Sequence, residues 1–111
     1  MEAYTTIKKK IVSNGFLLLH EIDTDQIVSK HGVDIPPLKQ LLFFEPKYIS
    51  QIMERDYLAI NDIPLKFVIA YLDDNVTSIS YQNPVKNLSD YDMNCYMNND
   101  LLGRINNILN F

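Results

Sequence analysis

Lys39 to Tyr81 reads KQLLFFEP (39–46), KYISQIMERDYLAINDIP (47–64) and LKFVIAYLDDNVTSISY (65–81). Its reading decides the fold: strand, helix, proline-marked entry, strand, tight turn, strand. Leu65 to Leu72 is the most strand-like run in the chain. Asp73-Asp74-Asn75 supplies turn residues, and Val76 to Tyr81 returns, so the spacing predicts a hairpin. Leu41 to Phe44 is a further strand. Pro46 opens a helix in its first turn, where a missing N–H costs nothing, and Glu45 sets a carboxylate near the positive end of that helix. Tyr48, Ile49, Ile52 and Met53 share its apolar stripe. Between that helix and Pro64, residues 56–62 read as a loop anchored by Leu58 and Ile60.

Working outward toward the start, Tyr4, Ile7, Ile11 and Val12 recur at helical spacing. Thr5 or Thr6 is a candidate cap, and Asn14-Gly15 a stop signal. Lys8, Lys9 and Lys10 radiate around this helix and read as its solvated face. Phe16 to Glu21 is predicted as a strand. It is apolar on both faces at its start, which suggests a central position. Asp23 and Gln26 have capping-box spacing, with Ile22 and Ile27 as the accompanying staple. A short helix then runs to about His31 and ends at Gly32. Val33 to Lys39 contains Ile35-Pro36-Pro37 and reads as an extended connector. Toward the end, residues 83–98 are polar and irregular, with Pro84 and a candidate cap at Ser89. A last amphipathic helix at about 99–109 is capped by Asn99 and carries Leu101, Leu102, Ile105, Ile108 and Leu109.

These elements make one domain over residues 1–111, with α+β architecture. The expected arrangement is a two-layer sandwich: a mixed or antiparallel sheet of about four strands with helices packed on one face. The 111 residues are enough for one modest core, and 47% hydrophobic content places the chain among globular proteins. Net charge is −4, and only Arg55 and Arg104 accompany the lysines, a balance that argues against nucleic acid as a partner. FLLLH is too short to span a bilayer, and no membrane association is expected. The single cysteine, Cys95, has no partner for a disulfide within the chain, which fits a cytoplasmic location.

The middle of the chain resembles the family known as domain of unknown function 302. The resemblance rests on Gly15-Phe16, Ile22-Asp23, Gly32, Phe44-Glu45-Pro46, Ile63-Pro64-Leu65 and Asn83-Pro84, in that order, over roughly residues 5–84. It departs where many members carry a histidine after the Ile-Asp pair, because Thr24 stands here. It departs again at Glu45, where many members have a Gly-Asn or cysteine-containing corner. Members usually also begin with a strand, for which Met1 to Tyr4 leaves little length. The resemblance implies a small two-layer α+β domain able to dimerise, with no established biochemical role.

Chemistry-bearing residues are few. His20 and Glu21 lie at a strand end beside Asp23, but alternation sends His20 to one face and Glu21 and Asp23 to the other. His31 precedes Gly32, where an imidazolium suits a helix C-terminus. Cys95 lacks a neighbouring base and reads as an inert thiol. Asp90 and Asp92 lack the rest of a calcium loop. No phosphate loop, zinc-protease helix or serine elbow occurs. No catalytic residue, metal ligand or cofactor is therefore assigned. The leading expectation is a small cytosolic binding or interaction module that acts as a homodimer. Its candidate interface is Leu17, Leu19, Val68, Ala70 and Leu72, with Phe67 and Ile69 turned inward. The alternative is a small-ligand carrier or enzyme whose site lies on the sheet near His20, Glu21 and Lys66.

Overall fold

The computed structural model describes residues 2–73, 76–93 and 95–110. Four strands form one antiparallel sheet in the order β1 (Leu17–Asp23), β2 (Leu38–Phe44), β3 (Leu65–Asp73) and β4 (Val76–Tyr81). Each strand pairs with the next in sequence. The helices are α1 (Glu2–Ser13), α2 (Thr24–Ser29), α3 (Ile49–Arg55), α4 (Pro84–Asn87) and α5 (Cys95–Leu109). Short 3-10 turns at Pro46–Tyr48 and Tyr57–Asp62 flank α3. This is the two-layer α+β arrangement expected.

Strict alternation builds the core. Leu41 and Phe43 on β2, and Leu65, Phe67 and Ile69 on β3, turn to one face and are buried. They meet Ile7 and Ile11 of α1 and Leu101, Ile105 and Ile108 of α5, all buried. Phe16, Phe43 and Phe67 continue this packing as a chain of ring contacts at 5.0 and 4.8 Å between centroids. Each such side chain contributes about 1.5–3 kcal/mol of hydrophobic stabilisation. Val68 and Ala70 turn to the other face and are half-buried, so Phe67 and Ile69 are the inward pair.

Several local expectations are corrected. β1 is an edge strand, with Leu17 and Leu19 exposed. Of its leucines Leu18 packs against the core, and an irregularity between Leu18 and His20 adds a residue to the ladder. α1 starts at Glu2, so Thr5 and Thr6 lie within it rather than at its N-terminus, and residues 2–4 form no strand. Asp23 precedes α2 but makes no cap hydrogen bond, since its carboxylate is taken by Lys39. Ile27 is exposed, and the staple is absent. β2 begins at Leu38, inside the expected connector.

On α3 and its preceding turn, Tyr48 and Ile52 are buried, but Ile49 and Met53 are exposed. Ala59, rather than Leu58 or Ile60, anchors the 3-10 turn that replaces the expected loop. Asn83 caps α4 through bonds accepted from Val85 N and Lys86 N. The Ser89 hydroxyl instead donates back to Lys86 O. α5 begins four residues before Asn99. Gly15 and Gly32 do hold the left-handed backbone, at φ +85° and +78°. Of the hairpin turn, Asp74 and Asn75 lie outside the described residues.

Candidate functional site

The helices leave one face of the sheet uncovered. On it stand Leu17, His20 and Ile22 of β1, Leu38, Gln40 and Leu42 of β2, Lys66, Val68, Ala70 and Leu72 of β3, and Ser78 and Ser80 of β4. Register fixes these neighbours. His20 pairs with Leu42 and Leu42 with Lys66, which makes a row across three strands. Two strand spacings, about 9–10 Å, separate the imidazole-bearing and amine-bearing positions of that row. Beside Lys66 lies a depression of about 230 Å³, lined by Leu42, Asn61, Asp62, Ile63, Pro64, Lys66 and Gln82. The Ile63–Pro64 bond in that lining is cis.

Glu21 does not join His20 and Lys66. It pairs with Leu41, on the helix side, where it accepts from the Tyr4 hydroxyl and forms an ion pair with Lys8 at 2.9 Å. Those hydrogen bonds from Tyr4 and Lys8 hold its carboxyl below the usual range. Burial, and then the Glu21 carboxylate, push the Tyr4 phenol well up. The three-residue site is therefore corrected to a His20–Lys66 pair on one face, with Glu21 a tie between β1 and α1. Lys8, expected among solvated lysines, is part of that tie.

Two further polar clusters on the helix side went unpredicted. Lys39 is buried yet charged, paired with Asp23 and with Asp25 at 2.9 Å. Burial works against its charge, but the two carboxylates outweigh burial and raise its pKa. Asp25 also accepts from Leu38 N; that bond first, and Lys39 with it, lower its pKa to about 2. Arg104 of α5 forms the second cluster. Its two terminal nitrogens reach Glu45 at 3.0 Å and Asp100 at 2.9 Å, and its plane lies over the Phe16 ring. Tyr48 donates to Asp100 at 2.5 Å; burial and this bond raise its phenol to about 12. The first cluster joins Lys39 to carboxylates 16 and 14 residues before it, beyond the reach of a local pattern. The second joins residues 59 apart and leaves no local pattern.

At the two positions where the chain departs from the family pattern, both side chains have structural work. Thr24 accepts from Gln40 at 2.8 Å, and Glu45 is held by Arg104. His31 is exposed beside Gly32. Cys95 is an exposed free thiol. Among the described residues, no group of three or more His, Cys, Asp or Glu is placed to hold a metal. No described helix is long and apolar enough to cross a membrane.

Comparison with known proteins agrees with this fold. A family model described as domain of unknown function DUF302 matches residues 1–110. The crystal structure of an uncharacterised conserved DUF302 protein from Bacillus stearothermophilus superposes with a TM-score of 0.83 at 17% identity. It covers 97% of this chain and 86% of that one. No protein of curated function matches the sequence.

Proposed function

The chain belongs to the DUF302 family, and we propose that it works as a binding or interaction module. The chain acts as a cytoplasmic binding module that pairs with a second copy through its uncovered sheet face. The observation that carries this reading is the apolar character of that face. Leu17 and Leu72 are about half exposed or more, and Ile22, Leu38, Leu42, Val68 and Ala70 lie between them, half-buried; Leu19, also exposed, sits in the irregularity of β1 outside the paired ladder. Strands that face water normally carry polar residues on that side, as β4 does with Ser78 and Ser80, whereas β1 to β3 carry mostly apolar ones there. Contiguous apolar patches of this kind mark contact surfaces.

Size and charge favour a second copy as the occupant. Four strands of about seven residues give a flat footprint of about 19 by 23 Å. Side-chain relief enlarges that toward about 600–800 Å² per partner, the scale of a small specific interface. The ionisable residues of the open face, His20 and Lys66, both lie in the row at one end of the sheet. A two-fold axis near Val68 would set each basic row over the far end of the partner's sheet, away from its own like charges. The exposed free thiol fits a reducing cytoplasm.

Sedimentation at micromolar concentration tests this. The wild type should sediment as a dimer, and Val68→Lys or Ala70→Glu should give a folded monomer. A monomeric wild type, or a dimer indifferent to both substitutions, removes the reading. The second reading, a small-ligand site, draws on the depression beside Lys66. It predicts that Lys66→Met abolishes retention of a small molecule in native mass spectra while leaving the sedimentation coefficient unchanged.

A further inference from the structure

A groove runs between α1 and the edge strand β1, apart from the open sheet face. Its volume is about 410 Å³, and Lys8, Lys9, Val12, Ser13 and Leu18 line it. Lys8 and Val12, Lys9 and Val12, and Lys9 and Ser13 are spaced three or four apart, so these residues share one face of the helix. Val12 belongs to the apolar spacing of α1, yet it is 60% exposed while Ile7 and Ile11 are fully buried. Leu18 of β1 completes the lining and packs against the core. What the five residues turn toward the groove is apolar almost throughout. The lysines therefore line it with their methylene stems and hold their ammoniums at the rim.

The two ammoniums differ in what they meet. Lys8 pairs with Glu21 at 2.9 Å and lies over the Tyr4 ring. Lys9 is exposed and makes no ion pair among the described residues. The Ser13 hydroxyl donates to Lys10 O at 3.2 Å. Lys9 is thus the lining side chain with a charge to offer, at the edge of an apolar trough that the fold leaves in water.

We propose that this groove binds a free medium-chain alkyl carboxylate, with its head on Lys9 and its tail along Val12 and Leu18. The tail covers apolar surface that otherwise faces solvent, and the gain scales with the area covered. A neutral hydrocarbon leaves Lys9 unmet, and an alkyl cation meets a like charge. A compact anion such as phosphate would have to shed water over a floor that offers it no donors. The last turn of α1 is the negative end of its dipole, which sets the head at Lys9 and the tail toward Ser13. The volume lies above the roughly 300 Å³ at which small-molecule pockets begin, and a trough suits one chain better than it suits a bilayer surface. None of the five residues stands on the open sheet face, so the inference does not rest on the pairing of two copies.

The probes are octanoate, acetate as the head without the tail, and octyltrimethylammonium as the same tail with the opposite charge. Each is titrated at low salt into isotope-labelled wild-type protein while amide shifts are followed by NMR. Octanoate should move the amides of Lys9, Val12, Ser13 and Leu18 and saturate with a Kd on the order of 1 mM. Acetate should not saturate in that range, and octyltrimethylammonium should bind about fivefold more weakly, the scale of one exposed ion pair. Lys9→Glu, at an exposed position, should weaken octanoate about fivefold and make octyltrimethylammonium the tighter of the two. Equal binding of both alkyl probes, acetate as tight as octanoate, or saturable shifts confined to another surface each overturns the proposal. So does a preference unchanged in Lys9→Glu. Failure of octanoate to bind overturns it as well; cosedimentation with phosphatidylglycerol vesicles in that case would make a membrane surface the occupant instead.

Discussion

Asp23 shows how a side chain with a good local use can be claimed by a distant one. Its spacing to Gln26 suits a capping box, yet its carboxylate meets Lys39, 16 residues on. A buried ammonium that must be neutralised outranks one free amide at a solvated helix end. The consequence is measurable. Asp23→Ala should cost about 1 kcal/mol in the wild type and close to nothing in a Lys39→Met background, because the two residues share one interaction. Equal costs in both backgrounds, read from denaturant midpoints, would return Asp23 to a capping role. The same reasoning explains why Lys39 was not visible as a core residue. Nothing near it in sequence announces that a lysine will be buried, except Asp23 and Asp25 themselves.

Among the elements, the hairpin of β3 and β4 was the most legible. Its signal is local: alternation, turn residues and a proline entry all lie within one stretch. The stops at Gly15 and Gly32 were legible for the same reason, since a left-handed residue after a helix needs little but glycine. β1 was misread as central because its leucines face both ways, and sequence does not reveal that an irregular ladder leaves two of them exposed. The start of α5 was missed because Cys95 to Asn98 lacks apolar periodicity beyond Met97. Of the candidate site, His20 and Lys66 could be placed on a sheet, but their sharing of one row depends on strand order, which no single strand encodes.

α5 is tied to the rest by Arg104, which makes a test at this scale. Arg104→Met removes one partner each from Glu45 and Asp100, and should cost about 2 kcal/mol by thermal or urea unfolding. Arg104→Lys should recover only part of that, since one ammonium cannot reproduce a fork that spans two carboxylates and stacks on Phe16. Full recovery by lysine would show that charge alone holds the helix.

For the molecule as a whole, titration sets two limits on stability. Glu21, Asp25 and Asp100 all have lowered pKa values in the fold. Asp100 is lowered because Tyr48 and Arg104 together outweigh its burial. A depressed carboxylate stabilises above its unfolded pKa and loses that contribution as pH falls. For Asp25 the window runs from 3.8 down to about 2. The melting temperature should therefore drop through that acid range, and Asp25→Asn should flatten the drop. At the alkaline limit the sign reverses. Tyr4 and Tyr48 have raised pKa values, so their contribution is complete below 10.0 and is lost as pH climbs beyond it, for Tyr48 toward about 12. Ultraviolet titration of tyrosinate should show late ionisation that Tyr48→Phe diminishes. A curve in which every tyrosine ionises near 10.0 would contradict the packing of both rings.

The ladder irregularities sit in the outer pairs, between β1 and β2 and between β3 and β4, while β2 and β3 run in unbroken register. A sheet with two open margins is a template for end-to-end growth, since every free margin can recruit another strand and so build a fibre. A bulge twists a margin out of line with an incoming strand. Here one margin bulges beside Leu19, and the other is a six-residue strand rich in serine and threonine. Crowded copies of this chain are thus steered away from ribbon-like polymerisation at either margin.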